Sequence, residues 1–119
     1  MNLIGIGTDI EEAARTAALK PATLKRVFTA AELAYCLPLK NAAQSLAARF
    51  AAKEAVIKAL PFDGIALKKI EIIKDKSGKP QIKLHDKRGK DIKFKVSLSH
   101  AAAYATAFVI AYKENAKDK

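Results

Sequence analysis

Apolar and polar positions alternate between strand-like and helix-like patterns in the first half of the chain. Residues 2–8 are mostly apolar and carry two glycines that permit close backbone approach, a pattern that predicts a short strand with Asp9 at its end. Helices are predicted over 11–19, from Ala30 to about residue 38, and over 41–60. The last of these is the dominant helix of the predicted fold.

The second half of the chain has the pattern of antiparallel strands joined by turns. The predicted strands cover 67–74, 81–84 and 92–98, and a helical turn followed by a final strand is expected over 101–112. Residues 113–119 are predicted to be a frayed tail. The sequence therefore predicts one domain over residues 1–112, of class α+β, with an antiparallel β-meander packed against one long helix and shorter helices.

The long predicted helix is apolar nearly all round, which indicates burial on several sides. It nevertheless carries Arg49, Lys53, Glu54 and Lys58, and unpaired buried charge is costly. In one interpretation Glu54 and Lys58 form an ion pair, and Arg49 and Lys53 extend to the helix edge. In the other, a polar cleft or a subunit interface holds an anionic ligand, with Glu54 on a cation and the three basic groups on phosphate oxygens.

Asp9 is the natural companion of Glu54 in the second interpretation. A carboxylate at a strand end beside one on a buried helix could supply both protein ligands of a Mg²⁺ ion, whose other ligands are usually water and phosphate oxygens. Spacing alone does not show that the two side chains meet.

Composition and charge narrow the classes of function. The 119 residues carry a net charge of +10, of which eleven basic and four acidic residues in 68–95 contribute +7. Such a charge is typical of a protein with an anionic partner, and equally of a solvated lysine-rich surface. No apolar stretch approaches the ~20 residues of a membrane span, and no signal peptide is visible. One cysteine, Cys36, fits a reducing compartment, so a cytoplasmic location is expected.

Several motifs in order along the chain resemble the signature of holo-acyl-carrier-protein synthases, which are small 4′-phosphopantetheinyl transferases. The matching segments are Gly5-Ile6-Gly7-Thr8-Asp9-Ile10, Arg26-Val27-Phe28-Thr29 with Glu32, Arg49-Phe50-Ala51-Ala52-Lys53-Glu54-Ala55-Val56-Ile57-Lys58, Gly78-Lys79-Pro80 and Ser97-Leu98-Ser99-His100. Each motif alone is weak, but together they cover residues 2–112.

The resemblance implies the family's fold and reaction. Phosphopantetheine would pass from coenzyme A to a serine of an apo acyl carrier protein, releasing adenosine 3′,5′-bisphosphate in support of fatty acid biosynthesis. The family's usual assembly, a homotrimer with active sites at subunit interfaces, would explain a helix that is apolar on so many sides. No nucleic-acid partner is implied.

The resemblance also implies roles for individual residues. Asp9 and Glu54 would hold Mg²⁺ on the pyrophosphate, and one of these carboxylates or a metal-bound water would take the serine proton. Lys58 would neutralise the pyrophosphate. The candidates for the remaining phosphates of coenzyme A are Arg49, Lys53 and His100, and the candidate for gripping the acidic carrier protein is Arg15.

One loop departs from the family pattern. Where the family usually has a Gly-Thr-Gly-Ile loop near coenzyme A, this chain has Pro61-Phe62-Asp63-Gly64-Ile65. Gly64 is retained and stays a candidate coenzyme A contact, but the altered residues Pro61–Asp63 put the contacts of the loop in question. A further change, Ala48 in place of a common glycine, is mild.

A second hypothesis belongs to a different class of function. Residues 68–95 could form the binding surface of a non-catalytic basic domain for RNA or an acidic protein. Such a domain would bind in a salt-sensitive way and would be indifferent to replacement of Asp9 or Glu54.

Overall fold

The computed structural model describes residues 1–115 and has the predicted α+β class, with antiparallel strands and one long helix. Two single-turn 3₁₀ helices cover Leu67–Lys69 and Lys87–Gly89. The helices and strands, in chain order, are β1 (Asn2–Glu12), α1 (Ala13–Ala17), α2 (Pro21–Val27), α3 (Ala30–Cys36), α4 (Ala42–Ala59), β2 (Ile70–Lys74), β3 (Pro80–Leu84), β4 (Lys93–Ala101) and β5 (Tyr104–Lys113).

The strands form two antiparallel sheets rather than one continuous meander. The larger sheet has the order β1-β5-β4, so the first and last strands of the chain pair along their whole length. The β2–β3 hairpin forms a separate two-stranded sheet, and β3 approaches β4 without pairing with it. The gap between these two strands is the mouth of the groove described below.

Two glycines of β1 allow α4 to lie directly on the large sheet, as the sequence predicted. A Cβ atom on Gly5 would overlap the backbone carbonyl of Ala59, and one on Gly7 would overlap that of Ala55. The alanine-rich face of α4 is the other half of this contact, since Ala51, Ala52 and Ala55 are fully buried. Backbone therefore meets backbone where α4 crosses β1, and this fixes the spacing of the side chains that follow.

The N-terminal region differs from the sequence prediction in three respects. Strand β1 continues to Glu12, so Asp9 lies within the strand rather than at its end, and helix α1 is correspondingly shorter than the predicted 11–19. The helix α2 was missed: α1 already ends at Ala17, and Pro21 opens α2 at the N-terminal position where its missing N–H costs nothing.

The boundaries of α3 and α4 follow the sequence closely. Thr29 and Glu32 form the predicted capping box, in which each side chain accepts a hydrogen bond from the other residue's backbone N–H. Asn41 occupies the N-cap position of α4, but its side chain makes no capping hydrogen bond. Helix α4 ends at Ala59, one residue before the predicted end.

The C-terminal hairpin corrects two further predictions. Residues 101–112 contain no helical turn: β4 runs to Ala101, and a tight turn with Ala102 at a φ of 51° leads straight into β5. Lys113 is the last residue of β5 rather than the start of a tail. Residues 114 and 115 have no regular secondary structure, and the remainder of the predicted tail, 116–119, lies outside the described residues.

Candidate active site

An acidic cluster forms where β1 passes under the C-terminal half of α4. The ammonium of Lys58 donates to the backbone oxygen of Thr8 at 2.9 Å and lies 3.4 Å from Asp9 Oδ1. Glu54, one turn earlier on α4, is near enough to Asp9 for the negative charge of that residue to raise its pKa. The Glu54–Lys58 ion pair of the first interpretation does not form among the described residues, because Lys58 pairs with Asp9 across the two elements.

Burial and mutual repulsion disfavour the ionised form of two carboxyl groups here. The pKa of Glu54 is raised first by burial and then by the charge of Asp9, and Lys58 only partly opposes this. Glu11 is affected more strongly: burial, then its contact with Asp9, raise its pKa from 4.5 to about 7. Glu11 was missed from the sequence because β1 was predicted to end before it; on a continuing strand, positions 9 and 11 share a face.

The donor set of the acidic cluster fits a divalent cation that is shared with a ligand. Asp9 Oδ2 is buried without a hydrogen-bond partner, and the carboxylate of Glu54 accepts no hydrogen bond from the described residues. Within residues 1–115, no group of three or more acidic, histidine or cysteine side chains is arranged to hold a metal ion. Mg²⁺ is usually bound by one or two carboxylates together with phosphate oxygens and water, whereas Ca²⁺ often takes most of its ligands from the protein. The two carboxylates of this cluster therefore match Mg²⁺.

A separate groove of about 1260 Å³ opens between the β2–β3 hairpin, β4 and the N-terminal half of α4. It collects motifs that are far apart in the sequence: Arg49, the Gly78-Lys79-Pro80 turn, and Ser97 and His100 of β4. Six lysines and Arg49 line it against a single acidic residue among the described side chains, Asp75, whose carboxylate accepts hydrogen bonds from Ser77 and Lys79. The groove is therefore a strongly cationic cavity.

Arg49 is the most constrained cation of the groove. Its side chain is only 5% exposed, Nη1 donates to Ser45 Oγ at 3.0 Å, and the guanidinium carbon lies 4.8 Å from the centre of the Tyr35 ring. Its Nε is buried without a partner, and no carboxylate among the described residues forms an ion pair with it. A buried, unpaired guanidinium at a cavity wall is the arrangement expected of an anion site.

The structure contradicts the predicted ligand role of Lys53. Its side chain is fully buried, and its ammonium donates to Glu32 Oε1 at 2.7 Å, to the backbone oxygen of Leu67 at 3.1 Å and to that of Ile70. All its donors are used within the fold, so Lys53 cannot reach coenzyme A. The alternative in which Arg49 and Lys53 extend to the helix edge is equally wrong, because both are buried.

The buried pair of Lys53 and Glu32 explains a second motif. Glu32 also accepts from the backbone of Ile72, while Thr29 donates to Glu71, which in turn contacts His85. The threonine and glutamate of the Arg26-to-Glu32 segment are therefore structural: they cap α3 and tie it to β2 and α4.

The remaining predicted residues lie on the surface. Arg15 is exposed in the last turn of α1, on the same side as Glu11, whose pKa its charge lowers. Gly64 is exposed with a φ of 85°, and the altered loop before it is held by Arg88, which donates to the backbone oxygen of Asp63 at 3.0 Å and lies 4.5 Å from the ring centre of Phe62. Arg88 is itself fixed by Asp86.

Within one chain, the acidic cluster and the cationic groove are two separate sites. Asp9, Glu54 and Lys58 do not line the groove. Helix α4 contributes to both places, with its N-terminal half at the groove and its C-terminal half at the acidic cluster. The sequence-predicted residues thus assemble into two groups rather than one.

Comparisons with known proteins agree with the motifs. A family model described as the 4′-phosphopantetheinyl transferase superfamily matches residues 5–112. The chain is 42% identical to the holo-[acyl-carrier-protein] synthase of Moorella thermoacetica, over 91% of this chain and 93% of that protein. The comparison thus covers both the acidic cluster and the groove.

Solved structures show the same fold. The holo-(acyl-carrier-protein) synthase of Bacillus anthracis in complex with CoA (3′,5′-ADP) superposes with a TM-score of 0.84 at 29% identity, covering 96% of this chain and all of that one. The holo-[acyl-carrier-protein] synthase of Helicobacter pylori in complex with coenzyme A gives a TM-score of 0.76 at 31% identity, covering 89% and 98%. With its motifs, fold and nearly full-length match in agreement, this chain belongs to the 4′-phosphopantetheinyl transferase superfamily, among the holo-[acyl-carrier-protein] synthases.

Proposed function

We propose that this chain transfers 4′-phosphopantetheine from coenzyme A to a serine of an apo acyl carrier protein, releasing adenosine 3′,5′-bisphosphate. The observation that carries the proposal is the groove in which a buried, unpaired Arg49 meets His100 and the Gly78-Lys79-Pro80 turn. These residues were selected by sequence motif, and their convergence on one cationic cavity is independent support. The competing hypothesis of a non-catalytic basic domain leaves the acidic cluster without a purpose.

Coenzyme A is the polyanionic substrate for which the groove has the matching charge. Its phosphates away from the reacting bond need cationic partners, and Arg49 and His100 lie on the groove wall to bind them. Lys58 is placed differently, beside Asp9 in the acidic cluster, where it would contact the pyrophosphate at the reacting end of the substrate. Gly64, on the exposed loop that follows α4, is proposed as a backbone contact to the same substrate.

Mg²⁺ is the cation for which Asp9 and Glu54 are suited. The unpartnered Asp9 Oδ2 and the repulsion that raises the pKa of Glu54 would both be relieved by a bound cation. When bound, the cation supplies charge neutralisation on the pyrophosphate. The part of the protein is to hold both carboxylates at one spacing, which the contact of Gly5 and Gly7 with α4 provides.

The reaction is a phosphoryl-type displacement in which positioning does most of the work. The serine oxygen forms a bond to the β-phosphorus, the bond from that phosphorus to the bridging oxygen breaks, and the negative charge leaves on adenosine 3′,5′-bisphosphate. The serine proton passes to a base in the acidic cluster. Lys58, held by Thr8 and Asp9, neutralises charge that develops on the pyrophosphate oxygens.

The acidic carrier protein would dock beside the acidic cluster through Arg15. This guanidinium is exposed on α1, directly after the strand that carries Asp9, so a carrier bound there would present its serine near the reacting phosphorus. The +10 net charge would draw an acidic carrier to the surface, and the attraction should weaken as salt rises.

We infer a homotrimer with active sites between subunits. The outer face of the large sheet exposes Leu3, Ile6, Ile10, Tyr104 and Phe108, each at least 44% accessible. An apolar sheet face of this kind is typical of a subunit contact, and contact between chains would bring the acidic cluster of one copy toward the groove of the next. Native mass spectrometry tests this: Ile10→Asp should yield monomers without transferase activity, and a fully active monomer would contradict the inference.

A cytoplasmic location is part of the proposal. The one cysteine, Cys36, is buried and free, as expected in a reducing compartment. Among the described residues, no helix has both the length and the apolar character needed to cross a bilayer.

Mass spectrometry of apo acyl carrier protein tests the transferase proposal directly. Incubation with this protein, coenzyme A and Mg²⁺ should add one phosphopantetheine to the carrier, and EDTA should prevent the addition. Glu54→Gln should abolish transfer while preserving the fold, whereas Glu114→Gln, a surface carboxylate 3.8 Å from Lys93, serves as the matched control. Failure to modify any of several carriers would overturn the transferase proposal. A fully active Glu54→Gln variant would overturn the assignment of Glu54 to the metal.

A further inference from the structure

The ring of Tyr35 on α3 contacts two cationic side chains, which belong to two other elements. The guanidinium carbon of Arg49, on α4, lies 4.8 Å from the ring centre, and the ammonium nitrogen of Lys74, at the end of β2, lies 5.0 Å from it. Both distances are within the range of a cation–π contact. Because both lie near one ring centre, the two positive charges are no farther apart than about one Debye length.

Neither cation is neutralised within the part of the chain that the structure describes. Arg49 and Lys74 form no ion pair, and the buried Nε of Arg49 has no partner. The buried charge of Arg49 is unfavourable unless an anion compensates it, and the exposed ammonium of Lys74 is available to the same anion. Tyr35, Arg49 and Lys74 all line the groove, so the compensating anion would lie there.

The position of this pair selects one part of coenzyme A. The pyrophosphate must be near the acidic cluster, where the displacement takes place and where Lys58 already supplies a cation. The pair at Tyr35 stands on the other side of α4, in the groove, and suits a phosphomonoester that carries two charges and takes no part in the reaction. The 3′-phosphate of coenzyme A has that chemistry.

We propose that Tyr35 is a positioning residue that holds Arg49 and Lys74 as a two-cation receptor for the 3′-phosphate of coenzyme A. The inference rests on the proposed function and adds Tyr35 and Lys74 to its binding residues. The ring, and not the hydroxyl, is the active part, because the hydroxyl of Tyr35 takes part in no hydrogen bond among the described residues. Loss of the ring should therefore weaken the receptor, and loss of the hydroxyl should not.

The first test compares coenzyme A with dephospho-coenzyme A, which lacks the 3′-phosphate. Tyr35→Leu and Lys74→Met should each raise KM for coenzyme A by about 3- to 30-fold with kcat within about twofold, and leave the kinetics with dephospho-coenzyme A unchanged. Tyr35→Phe should behave as the parent. The matched control is Lys76→Met, an exposed lysine two residues from Lys74 that does not line the groove.

The second test does not depend on turnover. Calorimetry in EDTA should show that the parent binds adenosine 3′,5′-bisphosphate more tightly than adenosine 5′-monophosphate, and that Tyr35→Leu removes most of this difference. No preference in the parent, an equal loss with both ligands in Tyr35→Leu, or a Tyr35→Phe variant as weak as Tyr35→Leu would overturn the receptor. A parent that binds the bisphosphate with this preference yet modifies no carrier would instead count against the proposed transferase function, so the two failures are distinguishable.

Discussion

Lys53→Met should destabilise the fold rather than weaken substrate binding. The Lys53 ammonium and the Glu32 carboxylate have side-chain exposures of 0% and 1%, and they lie 2.7 Å apart. Burial lowers the pKa of Lys53, and the hydrogen bond and charge of Glu32 oppose that shift, while two backbone oxygens also accept from the side chain. Methionine fills a similar volume but leaves the Glu32 carboxylate buried without its cation.

The expected loss follows from the stranded charge. Removal of one partner of a buried ion pair typically costs about 3–5 kcal/mol, a large part of the roughly 5–15 kcal/mol by which domains are stable. For a chain of this length, that corresponds to a fall in Tm of about 10–20 °C. A second substitution, Glu32→Gln, should recover about 1–3 kcal/mol on the Lys53→Met background, because glutamine removes the charge and still accepts from the backbone of Thr29.

Urea unfolding followed by circular dichroism measures these differences, with Lys68→Met as the control at an exposed lysine. At a temperature where every variant is folded, KM for coenzyme A should be the same in Lys53→Met and the parent. A Lys53→Met variant of unchanged stability, or one with its stability intact and a raised KM for coenzyme A, would refute the structural assignment of this lysine.

Three further perturbations test other parts of the structure. Gly7→Ala should lower the free energy of unfolding by about 1–3 kcal/mol, measured in urea beside the exposed control Thr8→Ala, because its Cβ would overlap the Ala55 carbonyl; equal stabilities would contradict the close contact. Folding raises the pKa of Glu11 from 4.5 to about 7, so between these pH values the folded state binds more protons than the unfolded state. The free energy of unfolding in EDTA should therefore fall as pH rises through this range, and Glu11→Gln should flatten the fall. An unchanged slope in Glu11→Gln would show that the pKa of Glu11 is not raised by folding. Arg88→Ala should lower the backbone NMR order parameters at 62–64 from the ~0.85 of rigid backbone toward ~0.6, because one hydrogen bond and a ring contact that hold the loop are lost. Arg26→Ala is the control, and unaltered order parameters would be the contrary result.

Local patterns predicted most elements, because local chemistry decides them. The capping box at Thr29 and the alternation of β4 are readable within a few residues. The end of β1 was misplaced because its continuation past Asp9 depends on pairing with β5, about a hundred residues away. Helix α2 was missed because a proline that ends a helix and one that starts a helix look alike without the tertiary context.

The candidate site was predictable as a set of residues, but not as an arrangement. Motifs selected Asp9, Glu54, Arg49 and His100 as candidates for one site, whereas only the packing of α4 shows that they lie in two separate groups. Lys53 was misassigned because a motif gives the residue type but not the direction of its side chain. Its partner Glu32 lies on another helix, and no spacing in the sequence links the two.

Three charged side chains of α4, all within six consecutive residues, lie in three different environments. Arg49 points to the groove, Lys53 into the core and Glu54 toward β1. Since each residue turns a helix by about 100°, inserting or deleting one residue before Arg49 would move every one of these groups to the wrong surroundings at once. Changes of length in this protein should therefore be confined to connections outside both sites, such as 18–20 between α1 and α2, and the number of residues from Arg49 to Lys58 should not vary.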